Sequence, residues 1–100
     1  MTRALRALLV DDNPQDRRLV AREIQKAFPT VEITEAIDQE DLARCIAVGG
    51  YDFVITDYHL LWTNGIVVLR SIKEAHPECP VIMYTGTGSE EIAVEAMKLG

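Results

Sequence analysis

LLVDDNP, residues 8–14, joins a greasy run to two adjacent carboxylates, Asp11 and Asp12, and then to a helix-start signal. A short apolar run bounded by polar residues is the pattern of a strand buried on both faces. LRALLVD, residues 5–11, fits it. Asn13-Pro14 then supplies an N-cap and a proline at the first helical position. The stretch therefore reads as a strand turning into a helix. Adjacent acids at the end of a buried strand repel each other and lose solvation, so they need a purpose.

Working outward, the same alternation repeats. Leu19, Val20, Ile24, Ala27 and Phe28 recur at helical spacing until Pro29 stops the helix. TVEITEA, residues 30–36, sets Val31 and Ile33 against Glu32 and Thr34, as in a half-exposed edge strand. A second helix is expected from Gln39 to Val48, with Leu42, Cys45 and Ile46 inward and Gly49-Gly50 ending it. DFVITD, residues 52–57, is another buried strand that ends in a carboxylate. The loop YHLLWTN leads to a helix from Gly65 to about Ala75, with Ile66, Leu69 and Ile72 inward. VIMYT, residues 81–85, is a fourth strand and GTGS a loop. A last helix carries Glu90 and Glu91 in its first turn and Lys98 in its last, which suits the macrodipole, and Gly100 stands where a C-terminal cap belongs.

The order βαβαβαβα implies an α/β fold: a doubly wound parallel sheet with right-handed crossovers and helices on both faces. One hundred residues suit one domain, and 48% hydrophobic residues suit a globular core. The longest apolar runs fall short of a membrane span, and the first one, ending in acids, is no signal peptide. Cys45 and Cys79 show neither metal spacing nor a CxxC pattern, so reduced thiols and a cytoplasmic setting are expected. A formal charge of −6 argues against direct binding of nucleic acid or an anionic membrane.

Ligands of such sheets bind at the carboxyl ends of the strands. Asp11-Asp12, Asp57 and Thr85 all stand there. If the first, third and fourth strands are neighbours, these groups meet in one crevice. Converging carboxylates raise one another's proton affinity and call for a cation. Ligands that are all oxygen favour a hard ion, and few protein ligands with room for water favour Mg²⁺. His59 and His76 are isolated, so no zinc-like cluster exists. No GxGxxG follows the first strand, and neither a GxxxxGK[ST] loop nor a serine nucleophile elbow occurs. TGTGS, residues 85–89, opens a helix with glycines whose amides suit an anion, a weak signal by itself.

Several stretches in matching order and spacing resemble the receiver domain of two-component response regulators. They are LLVDDNPQDRRLV, YDFVITDYHL, NGIVVLRSIK and PVIMYTGTGSEEIAVEAMKLG, and the resemblance extends over the whole chain. The resemblance implies a flavodoxin-like receiver with strand order 2-1-3-4 in this chain. It implies that Asp57 accepts a phosphoryl group from a sensor histidine kinase or a histidine phosphotransfer protein. Asp12 would bind Mg²⁺ directly, Asp11 through water, and the backbone carbonyl of His59 would complete the set. Thr85 would be the switch hydroxyl. Such a module signals; at most it catalyses its own phosphoryl transfer and dephosphorylation.

Two departures from the family stand out. Leu61 occupies a position where proline is common. The family also has a fifth strand and helix, with a phosphoryl-binding lysine near the end of that strand, and residues 1–100 stop before both. Lys26, Lys73 and Lys98 all fall in expected helices and cannot replace that lysine. A receiver lacking its final strand–helix unit is expected to self-associate, through the edge of the fourth strand or by exchange of the last helix. The competing readings are a non-phosphorylated protein-interaction module and an aspartyl-phosphate phosphohydrolase. The latter normally has an acid where His59 stands.

Overall fold

The structure, a computed structural model, describes residues 4–84. Thr85, the loop after it and the expected last helix lie outside the described residues. The elements run β1 (Arg6–Val10), α1 (Pro14–Ala27), β2 (Glu32–Ala36), α2 (Gln39–Val48), β3 (Phe53–Asp57), α3 (Gly65–Ala75) and β4 (Val81–Tyr84). The four strands form one parallel sheet in the order β2-β1-β3-β4. The doubly wound α/β reading therefore holds, and β1, β2 and β3 are shorter than the sequence alone implies by one or two residues.

Side-chain alternation sorts the core into two layers. Leu8 and Val10 of β1, Val54 of β3, and Val81 and Met83 of β4 pack with Leu42 and Cys45 of α2 and Val68, Leu69 and Ile72 of α3. Leu9 and Tyr84 pack on the opposite face with Val20 and Ile24 of α1. Phe53 and Ile55 join that second layer. The central strand β1 is thus buried on both faces, which explains its unbroken apolar run. β2 is half exposed, as its alternation indicates.

Two helix faces are rotated from expectation. Leu19 and Phe28 are largely exposed, and only Val20 and Ile24 of the expected stripe are buried. Phe28 instead leans on Phe53 at 5.7 Å between ring centres. In α3, Val68 is buried and Ile66 only partly so. With apolar residues at 66, 67, 68, 69 and 72, spacing alone does not choose the inward stripe; the sheet does.

Capping sets where each helix leaves the sheet. Asn13 accepts from Gln15 N and Asp16 N at 3.0 and 3.1 Å. Asn64 accepts from Ile66 N and Val67 N at the start of α3. Gly65 lies so close to β3 that a Cβ there would meet Asp57 O and Tyr58 Cα, both at 3.0 Å. Its N–H also donates to Tyr58 O at 2.9 Å. A glycine at this position lets α3 begin directly against the end of β3.

Candidate metal centre

Asp57 is the last residue of β3, and its register partner is Tyr84, the last of β4. Val10, the last residue of β1, pairs with Thr56, so Asp11 emerges beside Asp57. On β3, Asp57 continues the odd-numbered row that faces α1, and Asp11 follows Leu9 on the same side. α1 starts over this spot and contributes Asp16 from its first turn. One carboxylate oxygen from each of Asp11, Asp16 and Asp57 lies within 4.8 Å of the others, and all three residues are buried.

The hydrogen bonds leave this cluster strongly negative. Asp11 accepts from Asn13 N at 2.9 Å and from the Tyr84 hydroxyl. Asp57 accepts from His59 N at 3.1 Å. Asp16 Oδ1 is buried and has no hydrogen-bond partner among the described residues. The nearby Arg17 guanidinium turns away, to Glu35 at 2.6 Å and to the backbone oxygen of Asp11 at 3.1 Å. No ion pair among the described residues reaches any of the three acids.

Burial is the main reason that the Asp57 carboxyl is pushed up to about 6; the His59 amide opposes this, and the charges of Asp11 and Asp16 add to it. Burial likewise raises Asp11, against the bonds from Tyr84 and Asn13 and with repulsion from Asp16 and Asp12. The Tyr84 phenol is held well above its ordinary range by burial and by the neighbouring Asp11. It is therefore a fixed donor. Crowded, desolvated carboxylates with only neutral donors around them are a standing demand for positive charge.

The other expected site residues are placed differently. Asp12 is half-buried and bends out of the strand line; its Oδ2 accepts from Leu61 N at 2.6 Å. It thus ties the β1–α1 turn to the loop after β3 and is not one of the three converging acids. That loop is pinched by an antiparallel bridge between His59 and Asn64. The His59 side chain is exposed and meets Tyr58 edge-on. Trp62 packs against the α2–α3 core layer, and Leu61 stands almost fully in solvent. Thr85, next after Tyr84, lies outside the described residues. Asp16 is the acid that sequence reasoning missed. Its signal was available: an acid in the first turn of a helix that opens directly over a strand's carboxyl end.

Buried acids gathered at the carboxyl ends of the central strands of a doubly wound parallel sheet form a cluster that could hold a hard cation. The family model of the response regulator receiver domain matches residues 7–100, and the chain belongs to that family. It is 32% identical over 95 residues to the response regulator protein PilR of Pseudomonas aeruginosa, covering 95% of this chain and 21% of PilR. It is also 32% identical over 93 residues to the C4-dicarboxylate transport transcriptional regulatory protein DctD of the same organism, covering 93% of this chain and 20% of DctD. The chain thus spans about a fifth of the length of these regulators. Among solved structures it resembles the Thermotoga maritima response regulator TrrA in complex with Mg²⁺-BeF. That match has a TM-score of 0.72 and 30% identity, over 84% of this chain and 71% of TrrA. TrrA in complex with the histidine kinase ThkA matches with a TM-score of 0.68 and 30% identity, over 87% of this chain and 73% of the other. Among the described residues no helix is long and apolar enough to cross a membrane.

Proposed function

We propose that this chain is the phosphoacceptor module of a two-component phosphorelay and that Asp57 is the residue phosphorylated. The observation that carries this reading is the Asp57 carboxylate itself. It is buried at the end of β3, faces two further acids, and among the described residues accepts a single hydrogen bond, from His59 N. The donor is a phosphohistidine on a histidine kinase or phosphotransfer protein. A carboxylate oxygen of Asp57 attacks phosphorus, the P–N bond to the donor imidazole breaks, and its electron pair stays on the imidazole nitrogen.

The oxygen-only donor set fits Mg²⁺, with Asp12, Asp57 and the His59 carbonyl as direct ligands and Asp11 acting through water. When bound, the ion neutralises charge between the acceptor and the phosphoryl oxygens. The chain's own residues do the positioning. The His59 amide holds one Asp57 oxygen, Gly65 lets α3 brace the backbone of Asp57 and Tyr58, and Asn13 and Tyr84 fix Asp11. Thr85 is the switch hydroxyl, and the module works in the cytoplasm. His59, solvent-facing and two residues past Asp57, supplies no acid for a phosphohydrolase.

Incubating the protein with acetyl phosphate and Mg²⁺, then mapping the modified peptide, tests the reading. A labile phosphoryl group on Asp57, absent from Asp57→Asn and reduced in Asp12→Ala, is expected. Labelling at another residue, or undiminished labelling of Asp57→Asn, refutes it.

A further inference from the structure

We propose that Asp16 is an additional ligand of the divalent cation, so that this receiver grips its ion with a carboxylate from the first turn of α1. The inference rests on the metal site of the preceding section and adds a residue to it. An acid at this helix position ordinarily has one of two bland duties. It complements the helix dipole from the surface, or it reaches back to the N-cap amide as in a capping box. Neither describes Asp16. It is 3% exposed, so it is no surface charge. The Asn13 amide that a capping box would offer donates to Asp11 instead, at 2.9 Å. The amides of Gln15 and Asp16 are taken by the Asn13 side chain.

What remains is a buried carboxylate whose Oδ1 has no partner among the described residues, directed at two other acids. An unpaired buried oxygen forfeits its hydration without return, and the loss is greater when it is charged. The cation-free arrangement therefore leaves something unsatisfied. The spacing fits an ion. Oxygens on an octahedral Mg²⁺ stand about 3.0 Å apart when adjacent and about 4.2 Å apart when opposite. The three carboxylates each offer an oxygen within 4.8 Å of the others, so modest side-chain rotations would bring them onto one ion. Asp11 is the less available of the pair flanking Asp57, because both its oxygens already accept bonds, from Asn13 and Tyr84. Asp16 Oδ1 is free of such engagement.

The consequence is a cation site with more negative charge than the two aspartates and one carbonyl set out above. Charge count tunes the affinity of such sites. The ion would also tie the start of α1 to the end of β3.

Binding of Mn²⁺ and Mg²⁺, by the free-Mn²⁺ EPR signal and by calorimetry, is compared among the parent protein, Asp16→Asn, Asp16→Ser and Asp57→Asn. Thermal melts with chelator and with saturating cation accompany each. We expect Asp16→Asn and Asp16→Ser to lose about tenfold or more in affinity. In chelator they should melt at or above the parent, since one charge has left the cluster, and cation should raise their melting temperature less. A purely structural Asp16 gives the opposite pattern: lower melting in chelator and unchanged affinity. Either result, or a cation-free variant that no longer folds, overturns the inference. If Asp57→Asn loses affinity while both Asp16 variants keep it, only the role of Asp16 falls. If Asp57→Asn and both Asp16 variants all keep it, the metal site itself is wrong.

Discussion

Replacing Asp57 by asparagine removes one charge from the buried cluster and keeps the outline of the side chain. The carboxamide oxygen of the variant still accepts the His59 amide, and its NH₂ has Asp11 and Asp16 as ready acceptors. The folded protein raises the Asp57 carboxyl from 3.8 to about 6. At about 1.4 kcal/mol for each pH unit, ionised Asp57 costs the cation-free fold about 3 kcal/mol. The direction with pH follows from linkage. Between 3.8 and about 6 the native state holds a proton that the unfolded chain has released, so stability falls as pH rises through that window. Below it both states are protonated and the cost disappears. Asp57→Asn should therefore be more stable than the parent at pH 7.5 in chelator, and the two should converge near pH 4. A domain of this size gains about 4–8 °C per kcal/mol, so the rise should reach roughly 12–24 °C. Thermal melts by circular dichroism across that pH range measure it. An unchanged or lowered melting temperature at pH 7.5, or an equal gain at both pH values, would refute the reasoning.

Three further outcomes are expected. Tyr84→Phe leaves a buried oxygen of Asp11 without its phenol donor; it should cost about 1–3 kcal/mol at neutral pH and less in acid, where Asp11 carries its own proton, as denaturant melts at two pH values would show. Gly65→Ala forces a methyl against the backbone of Asp57 and Tyr58; we expect a loss of about 1–3 kcal/mol and weaker cation binding, because the end of β3 must move, with denaturant melts and Mn²⁺ titration as the measurements. β4 is an edge of the described sheet; the 100-residue polypeptide should self-associate, with light scattering and a melting temperature that rises with concentration as the signs, and a monodisperse monomer against it.

Element order was legible because its signals are local. Asn13-Pro14, Asn64-Gly65 and Gly49-Gly50 act within a few residues of themselves, and each marks a helix end in the structure. The unbroken run of β1 announced a strand covered on both sides. The helix faces were less legible. Leu19 and Phe28 have the right spacing for a core stripe, but α1 meets the sheet through Val20 and Ile24. A helix rich in apolar residues offers several stripes, and the docking angle chooses among them.

The same division runs through the site. That acids stand at the ends of the first and third strands could be read directly from the residues, since a strand's end is a local event. Which acids converge depends on packing. Neighbouring residues of an extended chain point to opposite sides, so Asp11 turns toward α1 and Asp57, while Asp12 turns to the amide of Leu61. Asp16 joins them only because α1 is packed with its first turn over the carboxyl end of β3. The raised Asp57 carboxyl is likewise a product of packing: desolvation and the field of two acids distant in sequence exist only once the sheet and α1 have closed around it.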